Sequence, residues 1–343
     1  MTDVGKAAAA RRLAAAAAYG GGGLSVVGAT VYALLRAEAL LARRAIGLPN
    51  GDPPQATGWY GHGRPGPALK MVLLGDSSAA GYGVDIVQQT PGAHLASGLA
   101  EATDQRVYLR SVARVGAQSR DLAGQVDEAL AVEPDVAVVL IGANDVTHTR
   151  PQSESMRLLS EAVRRFREAN VEVVVGTCPD LGTIEPIAPP LRQLARVLSR
   201  RLAAGQAIAV VEAGGRTVSL GSILGPEFAA TPSLFFGPDR FHPSAAGYSS
   251  LASVLLPSVL AALGEIPDEE LTPVAARGDT VLPISEAAVE AAKVPGTELG
   301  GTEIAGQKRG ALGRWVQLRR RRRQPEAEAE APRATDEAPA PAS

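Results

Sequence analysis

The sequence of 343 residues has a single cysteine, Cys178, and aromatic residues make up only 4% of it. One cysteine excludes an internal disulfide, so the fold cannot depend on covalent cross-links. Because aromatic side chains are scarce, we expect the core to consist of Ala, Val, Leu and Ile. The formal net charge of -2 lacks the basic excess that nucleic-acid binding requires. The four histidines are scattered and form no cluster with metal-ligand spacing, so we expect neither nucleic acid nor a metal as a partner.

The first part of the chain, residues 1–67, contains an uncharged segment followed by a Pro/Gly-rich stretch. Residues 13–35 carry no charge, and at about 1.5 Å per helical residue they can cross a hydrocarbon core of about 30 Å. Basic residues flank the segment on both sides, so their distribution does not determine which end of the segment would face the cytoplasm. The stretch 49–67 that follows is typical of a linker.

Three interpretations of residues 13–35 stay open. The segment is an uncleaved membrane anchor, a cleaved signal peptide that ends near the small residues at 37–39, or an Ala-rich helix packed on the domain. The first two predict a membrane-anchored or exported protein of the cell envelope. The third predicts a soluble cytoplasmic protein.

The second part, residues 68–264, has the pattern of one α/β domain. Short apolar runs at 69–74, 107–113, 135–141, 171–177 and 207–211 are predicted strands. Helical patterns occur near 91–103, 119–132, 152–169, 189–204 and 244–263. Continuous apolar strands that alternate with helices indicate a parallel sheet buried on both faces. We therefore predict a three-layer α/β/α sandwich with a five-stranded parallel sheet.

The third part, residues 265–343, is rich in Pro, Ala, Glu and Gly, which predicts a disordered tail. Five consecutive arginines at 319–323 follow an apolar stretch, and we predict a short basic helix over about 310–323. Such a helix suits contact with anionic lipid. A solvated run of charge beside a Glu-rich tail would give the same pattern.

Polar residues that could carry chemistry follow the predicted strands. Ser77, Gly116 and Asn144 come after the first, second and third strands, at the sheet edge where α/β proteins bind ligands. A serine nucleophile needs a histidine base, and that histidine needs a carboxylate to orient it. Asp239 and His242, three residues apart before the last helix, supply both groups. Each segment taken alone is more readily explained as an ordinary turn or surface loop.

Taken together and in this order, the segments resemble the four sequence blocks of the SGNH (GDSL-type) hydrolase family. The blocks here are Gly75-Asp76-Ser77, the glycine at 116, Gly142-Ala143-Asn144-Asp145, and the pair Asp239 and His242. The resemblance covers about residues 69–263. Two departures exist: Ser78 stands where the first block has leucine, and the residues around Gly116 match only loosely.

The resemblance implies a flavodoxin-like fold and a serine esterase. It implies that Ser77 is the nucleophile, that His242 accepts its proton and that Asp239 orients His242. It also implies an oxyanion hole formed by the N–H groups of Ser77 and Gly116 and by the amide of Asn144. The reaction would pass through a covalent acyl-enzyme and need no cofactor.

The resemblance leaves the substrate open, because the family acts on small-molecule and lipid acyl esters and on thioesters. We expect residues 81–83 and 181–190 to shape the acyl pocket. The few aromatic residues near the motifs argue against a sugar-stacking groove. An alternative also remains, in which an SGNH-like domain serves as a non-catalytic ligand-binding module or membrane scaffold; it would be favoured by a missing triad residue, and none is missing.

Overall fold

The computed structural model of the protein describes residues 22–46, 51–267, 303–304 and 307–308. The predicted anchor at 13–35 therefore lies partly outside the described residues. The predicted basic helix at 310–323 lies wholly outside them. Within the predicted tail, the described residues form two short paired strands, Glu303–Ile304 and Gln307–Lys308.

A six-stranded sheet forms the centre of the domain. Its strands are β1 (Gly58–Tyr60), β2 (Leu69–Gly75), β3 (Val107–Ser111), β4 (Val136–Leu140), β5 (Glu172–Gly176) and β6 (Arg216–Val218). Their order is β1-β3-β2-β4-β5-β6. Strands β2 to β6 run parallel, and β1 pairs antiparallel with β3 at the edge. The carboxyl ends of β2, β3 and β4 consequently lie side by side.

Helices cover both faces of this sheet. They are α1 (Gly22–Ala45), α2 (Ser77–Ala80), α3 (Pro91–Thr103), α4 (Leu122–Leu130), α5 (Ala143–Thr147), α6 (Gln152–Glu168), α7 (Leu191–Glu212), α8 (Leu220–Ile223), α9 (Gly225–Ala230), α10 (Pro232–Phe235) and α11 (Ala245–Ala262). Alternate residues of β2 enter separate cores: Met71 and Leu73 pack with α3 and α11, whereas Val72 and Leu74 pack with α4 and α6. The prediction of a three-layer α/β sandwich is confirmed.

The strand count and two segment assignments differ from the prediction. The sheet has six strands rather than five, and it is mixed because β1 is antiparallel. Strand β1 lies inside the stretch 49–67 that was predicted as a linker. The run 207–211, predicted as a strand, is instead the end of the 22-residue helix α7, and β6 follows it. A five-residue apolar run fits either structure, and here it continues the helical pattern that precedes it.

Helix α1 packs on the domain through its C-terminal half. The carboxylate of Glu38 accepts the backbone N–H of Leu191, at the start of α7, at 2.9 Å, and Ala42 is buried in the core that faces α11. On the same helix Tyr32 and Leu41 are more than 60% exposed. One face of the helix therefore packs on the domain, and its other apolar residues are exposed to solvent.

Among the described residues, α11 is the helix long and apolar enough to cross a membrane. Half of that stretch is buried in the domain, where α11 packs against α3. A core helix of a soluble protein has the same composition, so α11 is weak evidence for a membrane span.

Candidate active site

Ser77 lies directly after β2 and begins the one-turn helix α2. The carboxylate of Asp76 caps this turn, because its Oδ1 accepts the N–H of Ser78 at 2.9 Å. Gly75 has φ +137°, and a Cβ there would lie 1.9 Å from the carbonyl oxygen of Leu140. Only glycine lets β2 approach β4 this closely, so the backbone that carries Ser77 is held in one place.

The structure brings the three predicted triad residues together. Nε2 of His242 lies 3.1 Å from Oγ of Ser77, and Nδ1 of His242 lies 2.6 Å from Oδ2 of Asp239. Oδ1 of Asp239 accepts the backbone N–H groups of Phe241 and His242, each at 3.0 Å. Since the carboxylate can only accept, Nδ1 of His242 carries a proton and Nε2 is free to accept from Ser77. The side chains are thus arranged for proton transfer from serine to histidine.

Two buried carboxyl groups at the site have pKa values shifted in opposite directions. Burial pushes the pKa of Asp239 upward, but hydrogen bonds from the His242 ring and the N–H of Phe241 outweigh burial and leave the pKa below its usual value. Burial dominates at Asp76 and raises its pKa from 3.8 to about 6, against the opposing hydrogen bond from Ser78. Asp239 therefore stays ionised at neutral pH, whereas the pKa of Asp76 lies only slightly below neutral pH.

Aromatic side chains hold the imidazole of His242 from two sides. Tyr82 and Phe241 each meet it edge-on, with ring centroids 4.8 Å away. The carbonyl oxygen of Tyr82 accepts the hydroxyl of the buried Tyr248 at 2.7 Å, which fixes this loop to α11. The ring of His242 is consequently confined by packing as well as by Asp239.

The two other predicted site residues, Gly116 and Asn144, lie in a turn and in the short helix α5, and hydrogen bonds connect both to β2. Asn144, in α5, donates one amide hydrogen to the carbonyl of Ala117 at 3.0 Å, and its amide has a second hydrogen. Gly116 is exposed and has φ +80° in the turn before Ala117. The N–H of Arg114, which begins this turn, donates to the carbonyl of Gly75 at 3.1 Å. The Gly116 turn is therefore tied to α5, which carries Asn144, and to β2, the strand that precedes Ser77.

Two buried glutamines support the ends of the strands, and sequence reasoning missed both. Gln125 exchanges two hydrogen bonds with the backbone of Gly75, at 2.7 and 3.0 Å. Gln206 accepts from the N–H of Cys178 at 2.7 Å and donates to the carbonyl of Ile141 at 2.9 Å, which bridges the chain beyond β4 and β5. Gln125 shares the buried face of α4 with apolar residues, and that periodic position was the available signal.

Asp145, which follows Asn144, is a structural hydrogen-bond acceptor. Its buried carboxylate accepts from the N–H and hydroxyl of Ser119 and from the hydroxyl of Ser155. These contacts hold α5 against the loop that follows Gly116. In the part of the chain that the structure describes, no group of three or more His, Cys, Asp or Glu side chains is placed to hold a metal ion.

An apolar cavity opens beside the triad, between the ends of β4 and β5 and the short helices α8 and α9. Its volume is about 100 Å³. Leu181, Thr183 and Ile184, from the loop 181–190, line it, whereas Tyr82 packs on His242. Three of the five phenylalanines of the chain also line it: Phe228, Phe236 and Phe241. Phe236 and Phe241 stand beside and within the segment that carries Asp239 and His242, whereas Phe228 comes from an earlier part of the chain.

The sequence matches the profile of the GDSL-like Lipase/Acylhydrolase family over residues 73–249. The chain is 43% identical to the GDSL-like esterase Rv1075c of Mycobacterium tuberculosis over 244 residues, which cover 68% of this chain and 77% of that protein. Solved structures that resemble this chain include a lipase/acylhydrolase from Enterococcus faecalis. The two are 21% identical with a TM-score of 0.45, and the match covers 57% of this chain and 96% of the other. Another is the acetylxylan esterase Axe2 from Geobacillus stearothermophilus (21% identity, TM-score 0.41, 57% and 94%). The profile and the mycobacterial relative together show that the chain belongs to the GDSL-like lipase/acylhydrolase family, a family of hydrolases that act on esters.

Proposed function

We propose that the protein hydrolyses carboxylic acyl esters through a covalent intermediate on Ser77. The observation that carries this proposal is the hydrogen-bonded series from Ser77 through His242 to Asp239. Membership of an ester hydrolase family supports the same chemistry. A non-catalytic binding module would have no need of a buried imidazole aligned between a hydroxyl and a carboxylate.

In the proposed first step, Oγ of Ser77 attacks the ester carbonyl carbon while Nε2 of His242 takes the hydroxyl proton. The negative charge that forms on the carbonyl oxygen is stabilised by the N–H groups of Ser77 and Gly116 and by the amide of Asn144. When the intermediate collapses, the alcohol leaves with the proton from His242. The acyl group then remains on Ser77 as an ester.

In the proposed second step, water attacks the acyl-enzyme and gives a proton to His242, which returns it to Oγ of Ser77 as the acid departs. Asp239 keeps Nδ1 of His242 protonated and stabilises the imidazolium that forms in both steps. The lowered pKa of Asp239 keeps its carboxylate ionised for this role.

The test compares the full chain with its Ser77→Ala variant on p-nitrophenyl esters. We expect kcat/KM to fall by about a thousandfold or more, as for the loss of a catalytic nucleophile. Ser253→Ala, at an exposed position on α11, is the matched control and should retain wild-type activity. A fluorophosphonate probe should label the wild type at Ser77 and leave Ser77→Ala unlabelled. A folded wild type that neither turns over nor reacts with the probe would favour the binding-module alternative.

We also propose that residues 13–35 attach the domain, whose sheet begins with β1, to a membrane of the cell envelope. The uncharged sequence of this segment supports the proposal, as do the exposed side chains of Val31, Tyr32 and Leu34 on α1. The full chain should stay with membranes after a carbonate wash, and a chain lacking residues 1–35 should be released. A mature protein that begins after residue 39 would instead indicate a cleaved signal peptide.

A further inference from the structure

We infer that the cavity beside the triad binds the acyl chain of the substrate, and that this chain is an alkyl chain longer than acetyl. The inference rests on the proposed ester hydrolysis at Ser77 and adds the chemical class of the acid that is released. It depends on where the cavity opens, on the polarity of its wall and on the space within it.

The cavity adjoins three of the proposed catalytic segments. Its lining includes Asp76 and Ser78 on either side of Ser77, Ala143 next to Asn144, and Phe241 and Pro243 on either side of His242. Residues of the Gly116 turn do not line it. The cavity therefore adjoins the backbone next to Ser77, so the inferred acyl chain would extend from Ser77 into it, away from the Gly116 turn.

The wall of the cavity offers little for a hydroxylated or charged ligand. Its polar side chains away from Ser77 already have partners within the protein: Thr177 donates to the carbonyl of Val218, and Thr183 donates to the carbonyl of Asp180. The carboxylate of Asp180 accepts from Arg200 and from the N–H of Gly182. The rest of the lining is almost entirely aliphatic and aromatic. A sugar hydroxyl would lose its water there without gaining a hydrogen bond, whereas an alkyl chain would gain from burial.

An acetyl group is too short to use this space. It ends one carbon beyond the reacting carbonyl and would leave the surfaces of Leu224 and Phe228 without a ligand. Burying one methylene in apolar surroundings corresponds to roughly a fourfold gain in kcat/KM, provided that the contact is kept in the transition state. The rate should therefore rise by stages from acetate to butyrate and hexanoate.

Gly225 provides a way to close the cavity without altering the triad. It lines the cavity at the start of α9, and a Cβ built there would meet only Cβ of Asp180, at 3.7 Å. A leucine at this position would extend into the space that the acyl chain is inferred to occupy. Gly124, on α4, is the matched control, because a Cβ there meets nothing within 4 Å and the residue is remote from the cavity.

The experiment measures kcat/KM of the full chain for p-nitrophenyl acetate, butyrate, hexanoate and octanoate. We expect the wild type to prefer hexanoate to acetate by about tenfold or more. Gly225→Leu should reduce this hexanoate-to-acetate ratio at least tenfold, and Gly124→Leu should leave it unchanged. Leu224→Ala, which enlarges the cavity, should move the optimum towards octanoate. This variant tests the inference even if Gly225→Leu does not fold.

The possible failures can be told apart. If the wild type is folded and hydrolyses none of the four esters, the proposed ester hydrolysis is overturned along with the inference. If the esters are hydrolysed but acetate is the best substrate, ester hydrolysis stands and the acyl-chain inference is wrong. The same conclusion follows if Gly225→Leu and Leu224→Ala both leave the chain-length profile unchanged.

Discussion

Replacing Asp76 by asparagine should change how the stability of the protein depends on pH. The carboxyl of Asp76 is fully buried, and its pKa in the fold is about 6 against an ordinary value of 3.8. Between these two values the folded protein holds a proton that the unfolded chain has released. The free energy of unfolding therefore falls as the pH rises through this window. At pH 7 the ionised carboxylate costs the folded state about 3 kcal/mol.

Asparagine removes the charge but keeps an oxygen that can accept the N–H of Ser78, so the cap of α2 is preserved. The stability of Asp76→Asn relative to the wild type should accordingly be about 2 kcal/mol more favourable at pH 7 than at pH 4. An amide hydrogen without a partner in the variant would shift this difference by a constant. The pH slope, and not the absolute value, is therefore the test.

The assay is urea unfolding of both proteins, followed by circular dichroism at pH 4, 5, 6 and 7. Asp85→Asn, at an exposed position, is the control and should show a difference from wild type of less than about 0.5 kcal/mol at every pH. If the Asp76→Asn difference is flat across this range, or slopes the other way, burial does not dominate the pKa of Asp76 and the reasoning fails.

Two further substitutions test the supports of the site. Gly75→Ala places a Cβ 1.9 Å from the carbonyl oxygen of Leu140 at a positive φ. We therefore expect thermal unfolding to show a free energy of unfolding lower by more than about 3 kcal/mol. The control Gly124→Ala should be neutral or slightly stabilising. Glu38→Ala removes the acceptor of the N–H of Leu191 and should make α1 cleavable in limited proteolysis while the domain itself stays resistant; unchanged cleavage of α1 would contradict this.

The parallel strands β2 to β5 could be predicted because each is a short apolar run that ends in glycine or polar residues, whereas the short strand β6 was missed. The predicted bounds for β2 to β5 differ from the observed ones by two residues or fewer. The edge strand β1 could not be predicted in the same way. It has three residues inside a Pro/Gly-rich stretch, and its pairing depends on β3, which follows it by about 50 residues. Local sequence carries no information about such a partner.

The candidate triad was found for a different reason: the reaction limits which residue types can serve, and the family keeps them in a fixed order. The residues that line the cavity follow no fixed order along the sequence. Phe228 and Phe236 come from helices and loops between β6 and α11, and only the folded chain places them around the same cavity as Ser78. Gln125 and Gln206 were missed because a glutamine in an amphipathic helix usually faces water.

Ser77 and His242 are separated by 165 residues along the chain. At a synthesis rate of about 5–20 residues per second, His242 leaves the ribosome roughly 10–30 s after Ser77. Strands β2 to β5 can pair in that interval, so Ser77 would sit in its turn before its proposed base is made. On the proposed mechanism the growing chain would therefore lack activity until the segment of His242 and then α11 have followed. The proposed activity would then appear only when the domain is complete, and hydrolysis could report on folding to the last helix.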